Sequence, residues 1–181
     1  MECTILGHPP NGPTLELDYR EFAYAGKFVM SNTGKSVALD DETVVGAVAF
    51  SPDFEDEQTV RLRYVTVRID RRGEGIGTRL LRYTAEVLSE EYQSVTIGVN
   101  NPLAYRACYR AGFTFTGRET GIAELLMRYT PDAERRAERY LDGLAVFEER
   151  DLPAEQRTVL ERRELPPVFE AEPDSGDETD G

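Results

Sequence analysis

The chain has 181 residues, enough for one domain with its own hydrophobic core and a short extension. Its 34 acidic and 21 basic residues give a net charge of −13, and this surplus repels nucleic-acid phosphates and anionic lipids. No stretch approaches the roughly 18 apolar residues of a membrane span, and the first residues lack the pattern of a signal peptide, so we expect a cytoplasmic protein without nucleic-acid or membrane partners.

The first third of the chain predicts strands broken by turns. Residues 3–6 are a short apolar run that fits a first strand, and the glycines and prolines after it end that strand. Residues 15–30 place apolar side chains at roughly helical spacing, so we expect a loose helix, weakened by Gly26. Residues 36–50 contain two apolar runs around an acidic turn, which predicts a β-hairpin.

The central region alternates strand and helix patterns. Residues 59–69 alternate with period two, which predicts a strand with Val60, Leu62 and Tyr64 on one face. The other predicted elements are helices at 78–92 and 103–112 and strands at 94–99, 113–119 and 123–130. This order indicates a mixed α/β (α+β) domain with helices on the faces of its sheet.

Beyond residue 130 the character of the sequence changes. Residues 132–150 space apolar side chains for an amphipathic helix, and a shorter helix is predicted over 154–163. Residues 170–181 are acidic and lack aromatic side chains, so we expect disorder there. The predicted organisation is a domain over 1–130, a helical C-terminal extension over 131–167 and an acidic tail over 168–181.

Two rare residue types bear on where the protein works and whether it holds a metal. Lys27 and Lys35 are its only lysines, and a carboxylate-rich, lysine-poor surface stays solvated in concentrated salt, so we expect an acidic protein of a halophilic archaeon. Cys3 and Cys108 form no CxxC pair and have no histidine nearby. We therefore expect reduced thiols, with neither a disulfide framework nor a metal site.

Three glycines fall within residues 73–77, where a strand pattern gives way to a helix pattern. Such a loop can cradle a phosphate, because bare backbone N–H groups and the helix N-terminus point at one anion. Two common cradles do not fit. The dinucleotide-binding pattern needs glycine or alanine where Thr78 stands, and the P-loop suggested by residues 34–36 needs a glycine at the position of Val29.

The pattern that does fit is V-x-x-x-x-R-x-x-G-x-G, formed by Val67, Arg72, Gly75 and Gly77. The motifs that follow at matching distances are Asn100 and Asn101, a helix with Ala104 and Tyr109, and Gly112 with Phe113. With these motifs the chain resembles the GNAT N-acetyltransferase superfamily over roughly residues 1–130. The resemblance implies a GNAT-type fold, with a mostly antiparallel central sheet flanked by helices, and acetyl-CoA as the acyl donor.

The resemblance also implies which residues hold acetyl-CoA. Its pyrophosphate would bind the backbone of the glycine loop, which consists of Arg72, Gly73, Glu74, Gly75, Ile76, Gly77 and Thr78. Its pantetheine arm would pair with the exposed edge of the preceding strand at Val65, Thr66 and Val67. Asn100 or Asn101 would hold the far end of that arm.

In the family's usual mechanism an amine attacks the thioester directly, and a tyrosine on the helix after the asparagine protonates the departing thiolate. Tyr109 is the candidate, but the family's spacing places Cys108 in that slot, about 100° away around the helix, so either can be the catalytic residue. Many members carry a glutamate base on the strand before the loop, whereas residues 59–68 contain no carboxylate. A water chain would have to serve, or a carboxylate elsewhere such as Asp18, Glu21 or Glu124.

Other side chains leave two interpretations open. Arg61 and Arg63 either recognise a carboxylate of the substrate or pair with the abundant acids of the protein. The aromatic residues of 15–30 either wall the acceptor site or belong to the core, and they are Tyr19, Phe22, Tyr24 and Phe28.

Together these features predict an N-acetyltransferase that moves an acetyl group from acetyl-CoA to a primary amine of a small molecule, peptide or protein N-terminus. The alternative is a non-catalytic acyl-CoA-binding or regulatory protein, which the missing strand carboxylate and the shifted tyrosine suggest. The helix predicted over 132–150 fits a homodimer interface, a lid over the acceptor cleft, or a helix packed on its own sheet.

Overall fold

A computed structural model shows the fold and describes residues 1–130 and 137–167. Within these residues, seven strands form one sheet and four helices accompany it. The strands are β1 (Glu2–Gly7), β2 (Gly34–Asp40), β3 (Thr43–Pro52), β4 (Thr59–Val67), β5 (Ser94–Val99), β6 (Phe113–Glu119) and β7 (Leu125–Tyr129). The helices are α1 (Ile76–Leu88), α2 (Pro102–Ala111), α3 (Ala137–Glu148) and α4 (Ala154–Arg162). None of the helices in these two ranges has the length and apolar character needed to cross a membrane.

The strands lie in the order β1-β2-β3-β4-β5-β7-β6. All neighbours are antiparallel except β4 and β5, which are parallel and joined through α1. The mixed, mostly antiparallel sheet expected from the sequence is confirmed. The parallel pair is short, since residues 59–62 of β4 pair with 94–97 of β5 and the two strands then part.

Local chemistry explains where the helices begin and end. Gly75 precedes α1 in the left-handed conformation, with φ of 80°, and the helix starts at Ile76, two residues before the predicted start. The side chain of Asn101 caps α2 by accepting a hydrogen bond from the N–H of Ala104 at 2.9 Å. Gly112, with φ of 113°, ends α2 as the sequence predicts.

The helix expected over residues 15–30 is wrong. Only Ala25–Lys27 forms a single turn of 3-10 helix, and the rest is turns and irregular chain. The N–H of Leu15 donates to the carbonyl of Phe28, so the segment folds back on itself. Its apolar residues are spaced like a helix, yet they reach the core because the loop wraps across one face of the sheet, where tertiary packing overrides the local pattern.

The shared face expected for Val60, Leu62 and Tyr64 is also wrong. Leu62 pairs with Phe50 and Tyr64 with Ala49, so Arg63 is an extra residue in β4 and forms a β-bulge. The bulge shifts the alternation by one residue. Val60 and Leu62 face the larger core beneath the helices, whereas Tyr64 packs with the smaller cluster around Phe28, Ala47 and Ala49 on the opposite face.

The C-terminal helices pack on the domain that precedes them. The hydroxyl of Tyr105 in α2 donates to the carbonyl of Tyr140 in α3 at 3.0 Å, and the two rings stack at 5.2 Å. Phe147 of α3 is fully buried in the same core. Of the roles considered for this helix, packing on its own domain is the one these contacts describe. The start of the predicted helix, 132–136, and the expected disorder of 170–181 lie outside the described residues.

The contact between α3 and Tyr105 leaves no room for a side chain at Gly143. A Cβ at that position would lie 2.2 Å from the Tyr105 hydroxyl oxygen and 2.5 Å from its Cζ. We expect Gly143→Ala to lower the free energy of unfolding by about 1–3 kcal/mol, because overpacking outweighs the better helix propensity of alanine. Urea denaturation would measure it. Gly26→Ala, at a position with no atom within 4 Å, is the control, and a Gly143→Ala protein at least as stable as the parent contradicts this packing.

Candidate active site

A cleft of about 830 Å³ opens where β4 and β5 part. Its walls come from β4, the glycine loop, the first turn of α1, the C-terminal half of β5, and α2. Val65 and Val67 on β4 face the helices, whereas Tyr64 faces the segment 15–30 on the other side of the sheet. Because residues of both faces line it, the cleft reaches through the sheet by the gap between the two strands.

The glycine loop forms one end of this cleft. Gly73 and Gly75 have φ of 84° and 80°, a conformation that other residues rarely adopt, and no atom lies within 4 Å of the place a Cβ would take at either one. Among the described residues, the backbone N–H groups of 73–78 find no acceptor. They stand at the N-terminus of α1, where the helix dipole favours negative charge, so the loop suits a phosphate or pyrophosphate.

The charge of the cleft is opposite to that of the protein. Although the chain carries a net charge of −13, the cleft wall has a single carboxylate, that of Glu124, among the described residues. The wall also contains five arginines, namely Arg63, Arg71, Arg72, Arg106 and Arg110. A concentration of positive charge inside a low-dielectric cleft attracts an anionic ligand.

Most of the side chains singled out from the sequence line this one cleft. They are Val65, Thr66, Val67, Arg72, Gly73, Gly75, Ile76, Gly77, Thr78, Asn100, Asn101 and Cys108. Glu74 does not line it. Its carboxylate pairs with Arg71 at 2.8 Å, and Arg71 also pairs with Asp40 at 2.9 Å, so Glu74 ties the loop to β2. The amide of Asn101 is occupied in capping α2, which leaves Asn100 as the more available of the two asparagines.

The two candidates on α2 face in different directions. Cys108 lines the cleft with 2% of its side chain exposed, and burial raises the pKa of its thiol to about 12, so the thiol stays protonated. Tyr109, one position further around the helix, is buried with its ring centroid 4.5 Å from that of Tyr140 in α3 and does not line the cleft.

The three carboxylates considered as bases differ in whether they line the cleft. Asp18 accepts hydrogen bonds from the Arg20 side chain and backbone, which lower its pKa to about 2, and neither Asp18 nor Glu21 lines the cleft. Glu124 does, from the residue before β7. A Cβ at Gly98 of β5 would lie 2.6 Å from Oε2 of Glu124, so the glycine makes room for this carboxylate.

The arginines of β4 have different partners. Arg61 pairs with Asp53 at 2.8 Å, as the interpretation of acid pairing expects. Arg63 donates to the Ser51 hydroxyl at 2.9 Å and to the Pro52 carbonyl at 3.1 Å. No carboxylate of the described residues lies within ion-pair distance of Arg63, which lines the cleft.

The aromatic residues of 15–30 divide between the two interpretations. Phe22 and Phe28 are buried in the core. Tyr24 lines the cleft beside Tyr64, with the ring centroids 6.1 Å apart, whereas Tyr19 is 81% exposed and lies outside the cleft wall. Burial of the loop on the sheet therefore divides one sequence stripe between core and cleft.

Sequence reasoning missed part of the wall that α2 contributes. Leu103, Arg106, Ala107 and Arg110 all line the cleft. Their spacing of three and four residues is that of one helix face, and this was the signal that could have found them. The two arginines were not recognised because nothing in the sequence alone shows that this face of α2 borders the glycine loop.

The glycine loop at a helix N-terminus, set beside a gap between two central strands, suits a phosphate-bearing ligand in an open groove. Residues 5–113 match the acetyltransferase (GNAT) family. The chain belongs to this family and is an acyltransferase. No match is found among curated proteins.

Several solved structures are similar to the chain in fold. An N-acetyltransferase from Staphylococcus aureus is 18% identical with a TM-score of 0.46, over 55% of this chain and 68% of that one. The yncA protein of Salmonella typhimurium, with its cofactor acetyl-CoA, is 19% identical with a TM-score of 0.48, over 57% and 68%. The catalytic domain of the Tetrahymena GCN5 histone acetyltransferase, with coenzyme A, is 18% identical with a TM-score of 0.46, over 60% and 74%. At these identities the similarity is one of fold alone.

The raised pKa of Cys108 predicts an unreactive thiol. At pH 8 the thiol would be almost wholly protonated, and the thiolate is the form that reacts. In a Cys3→Ser protein, where Cys108 is the single cysteine, we expect alkylation by iodoacetamide to be at least about 100-fold slower than in the same protein unfolded in urea. Intact-mass measurement over time follows the reaction, and equal rates in the two states would mean that the thiol is open to solvent.

Proposed function

We propose that the protein is an N-acetyltransferase that uses acetyl-CoA and transfers the acetyl group directly to a primary amine. The observation that carries this proposal is the glycine loop, whose unoccupied N–H groups at the start of α1 open into the gap between β4 and β5. This arrangement suits a ligand with a pyrophosphate at one end and an extended arm.

The residues of the cleft fit the parts of acetyl-CoA. The N–H groups of 73–78 would bind the pyrophosphate, and Arg72 and Arg106 would add positive charge. Beyond Leu62, β4 is paired with β3 on one edge and has no strand partner on the other. The backbone of Val65 and Val67 can therefore pair with the amides of the pantetheine arm as with an added strand.

Acetyl-CoA supplies a thioester, so that the new C–N bond forms as the C–S bond breaks and coenzyme A leaves as a thiolate. We assign Glu124 as the base that receives the proton of the amine and passes it to solvent. Cys108 faces the cleft, and because it keeps its proton it supports the thiolate as an S–H donor and forms no acyl-enzyme. Tyr109, packed on Tyr140, is assigned to the core.

The position of Glu124 also bears on the non-catalytic alternative. That alternative drew on the lack of a carboxylate in the strand before the loop. Glu124, the residue before β7, contributes a carboxylate to the cleft wall next to Gly98 of the neighbouring strand β5. The missing carboxylate of β4 is therefore no argument against turnover, since Glu124 can supply a carboxylate from the residue before β7.

Where the protein works is part of the same proposal. The acidic, lysine-poor composition supports a cytoplasmic enzyme of a halophilic archaeon, with residues 1–130 as its catalytic domain. Binding and activity of this protein would therefore be measured in molar KCl.

Acetyl-CoA binding is expected to depend on the open space at Gly75. Gly75→Glu places a negative side chain where the pyrophosphate would lie, and we expect at least a 100-fold loss of affinity, measured by calorimetric titration of acetyl-CoA. Gly26→Glu, at an open position outside the cleft wall, is the matched control and should bind as the parent does. Unchanged affinity in a folded Gly75→Glu protein would remove the cradle from the proposal.

Turnover is expected to depend on the carboxylate of Glu124. Glu124→Gln keeps the size of the side chain and removes the base, so we expect kcat to fall about 10²- to 10⁴-fold while acetyl-CoA still binds. Release of thiol in the presence of amines measures the rate. Glu21→Gln is the control, since Glu21 does not line the cleft, and a Glu124→Gln enzyme as fast as this control would show that another group acts as base.

A further inference from the structure

Arg63 is a half-buried cation in the cleft wall, and no carboxylate of the described residues lies within ion-pair distance of it. Its guanidinium uses two of its five donors, on the Ser51 hydroxyl and the Pro52 carbonyl. The ring of Phe54 lies 4.8 Å from the guanidinium carbon. These contacts hold the guanidinium in one orientation and leave three N–H donors for a ligand.

The lack of a carboxylate partner is not due to a lack of acids. The chain has 34 acidic residues, and Arg61, two positions earlier on the same strand, is paired with Asp53. A partly buried charge without an ion-pair partner costs free energy. Burial and the charge of Arg61 lower the pKa of Arg63, and the more distant charges of Asp53 and Glu124 offset this only in part. A site that keeps such a charge open to a cleft is suited to an anionic ligand.

The β-bulge decides which side of the cleft Arg63 faces. The side chain of Arg63 contacts Ser51 of β3, and Tyr64 pairs with Ala49 of the same strand. Both Ser51 and Ala49 lie on the face of β3 that is turned away from α1. Arg63 and Tyr64 are therefore side by side on that face, on the opposite side of the sheet from the helices. Ile97 and Val99 of β5 face the helices, so Gly98 between them faces the opposite side of the sheet. The carboxylate of Glu124 lies against the position that a Cβ of Gly98 would take, so it is on the same face as Arg63.

Two further groups mark this side of the cleft as a binding site. The hydroxyl of Thr66, 4% exposed, has no hydrogen-bond partner among the described residues although it is buried in the cleft wall. The rings of Tyr24 and Tyr64 lie next to each other at the rim. The face thus offers one cation, one carboxylate, a free hydroxyl and an aromatic surface.

We infer that the acceptor is a small amine that also carries a carboxylate, as an amino acid does, and that Arg63 binds this carboxylate. This inference rests on the proposed acetyl transfer and names the substrate class of the same site. Glu124 takes the proton of the amine, and the remaining donors of the guanidinium suit a two-oxygen contact with a carboxylate. A protein N-terminus has no carboxylate next to its amine and would leave Arg63 without a partner.

Matched acceptor pairs test the inference. Thiol release in molar KCl would be measured with L-phenylalanine and phenethylamine, with L-leucine and isopentylamine, and with 4-aminobutyrate and propylamine, alongside an alanyl peptide amide. We expect kcat/KM to favour the carboxylate-bearing member of at least one pair by about 10- to 100-fold, the range of a hydrogen bond to a charged group. Arg63→Gln should reduce this ratio to about one, and Arg63→Lys should keep part of it.

The ratio is measured within each variant, so a loss of folded protein does not change it. Arg20→Gln is the matched control, since Arg20 pairs with Asp18 on the surface and lies outside the cleft wall, and it should keep the full ratio. Equal use of both members of every pair, preference for the peptide, or transfer to none of these acceptors by a protein that binds acetyl-CoA would overturn the inference. Failure to bind acetyl-CoA in calorimetric titration would instead overturn the proposed function.

Discussion

The structure depends on the short pairing between β4 and β5. The two strands are parallel neighbours for only four residues each, and then they part. The groups assigned to the proposed site lie along the opening that follows: Arg63 on β4, the glycine loop after β4, the asparagines at the end of β5, Glu124 before β7, and one face of α2. If the ladder continued to Val67, backbone hydrogen bonds would close the cleft. The missing pairing is what leaves a strand edge for a ligand.

The bulge at Arg63 comes where this pairing ends, and it gives the cleft two chemically different sides. On the side of the helices, the cleft has backbone donors and a helix N-terminus, which suit the phosphates of a cofactor. On the opposite side, it has Arg63, Glu124 and two tyrosines. Without the extra residue, the alternation along β4 would turn Tyr64 toward the helices.

The charges of the protein also differ between its outer surface and its cleft. The outer surface carries the excess of carboxylates, whereas the arginines Arg63, Arg72 and Arg106 lie in the cleft wall beside a single glutamate. Several surface arginines are paired with nearby acids, as Arg20 is with Asp18 and Arg157 with Asp151. The arginines of the cleft wall therefore suit an anionic ligand, whereas the carboxylates of the outer surface keep that surface solvated.

Features that depend on residues close together in the chain could be predicted from the sequence alone. Strand and helix periods placed the strands and α1 and α2, and the glycine loop was recognisable because a left-handed backbone at Gly73 and Gly75 is a local property of glycine. The three-dimensional structure was needed to see the fold of 15–30, the bulge at Arg63, the presence of Glu124 but not Asp18 or Glu21 in the cleft wall, and the contrast between Cys108 and Tyr109. These depend on pairing and packing between segments far apart in the chain, such as β7 beside β5 and α3 against α2, which no local pattern encodes.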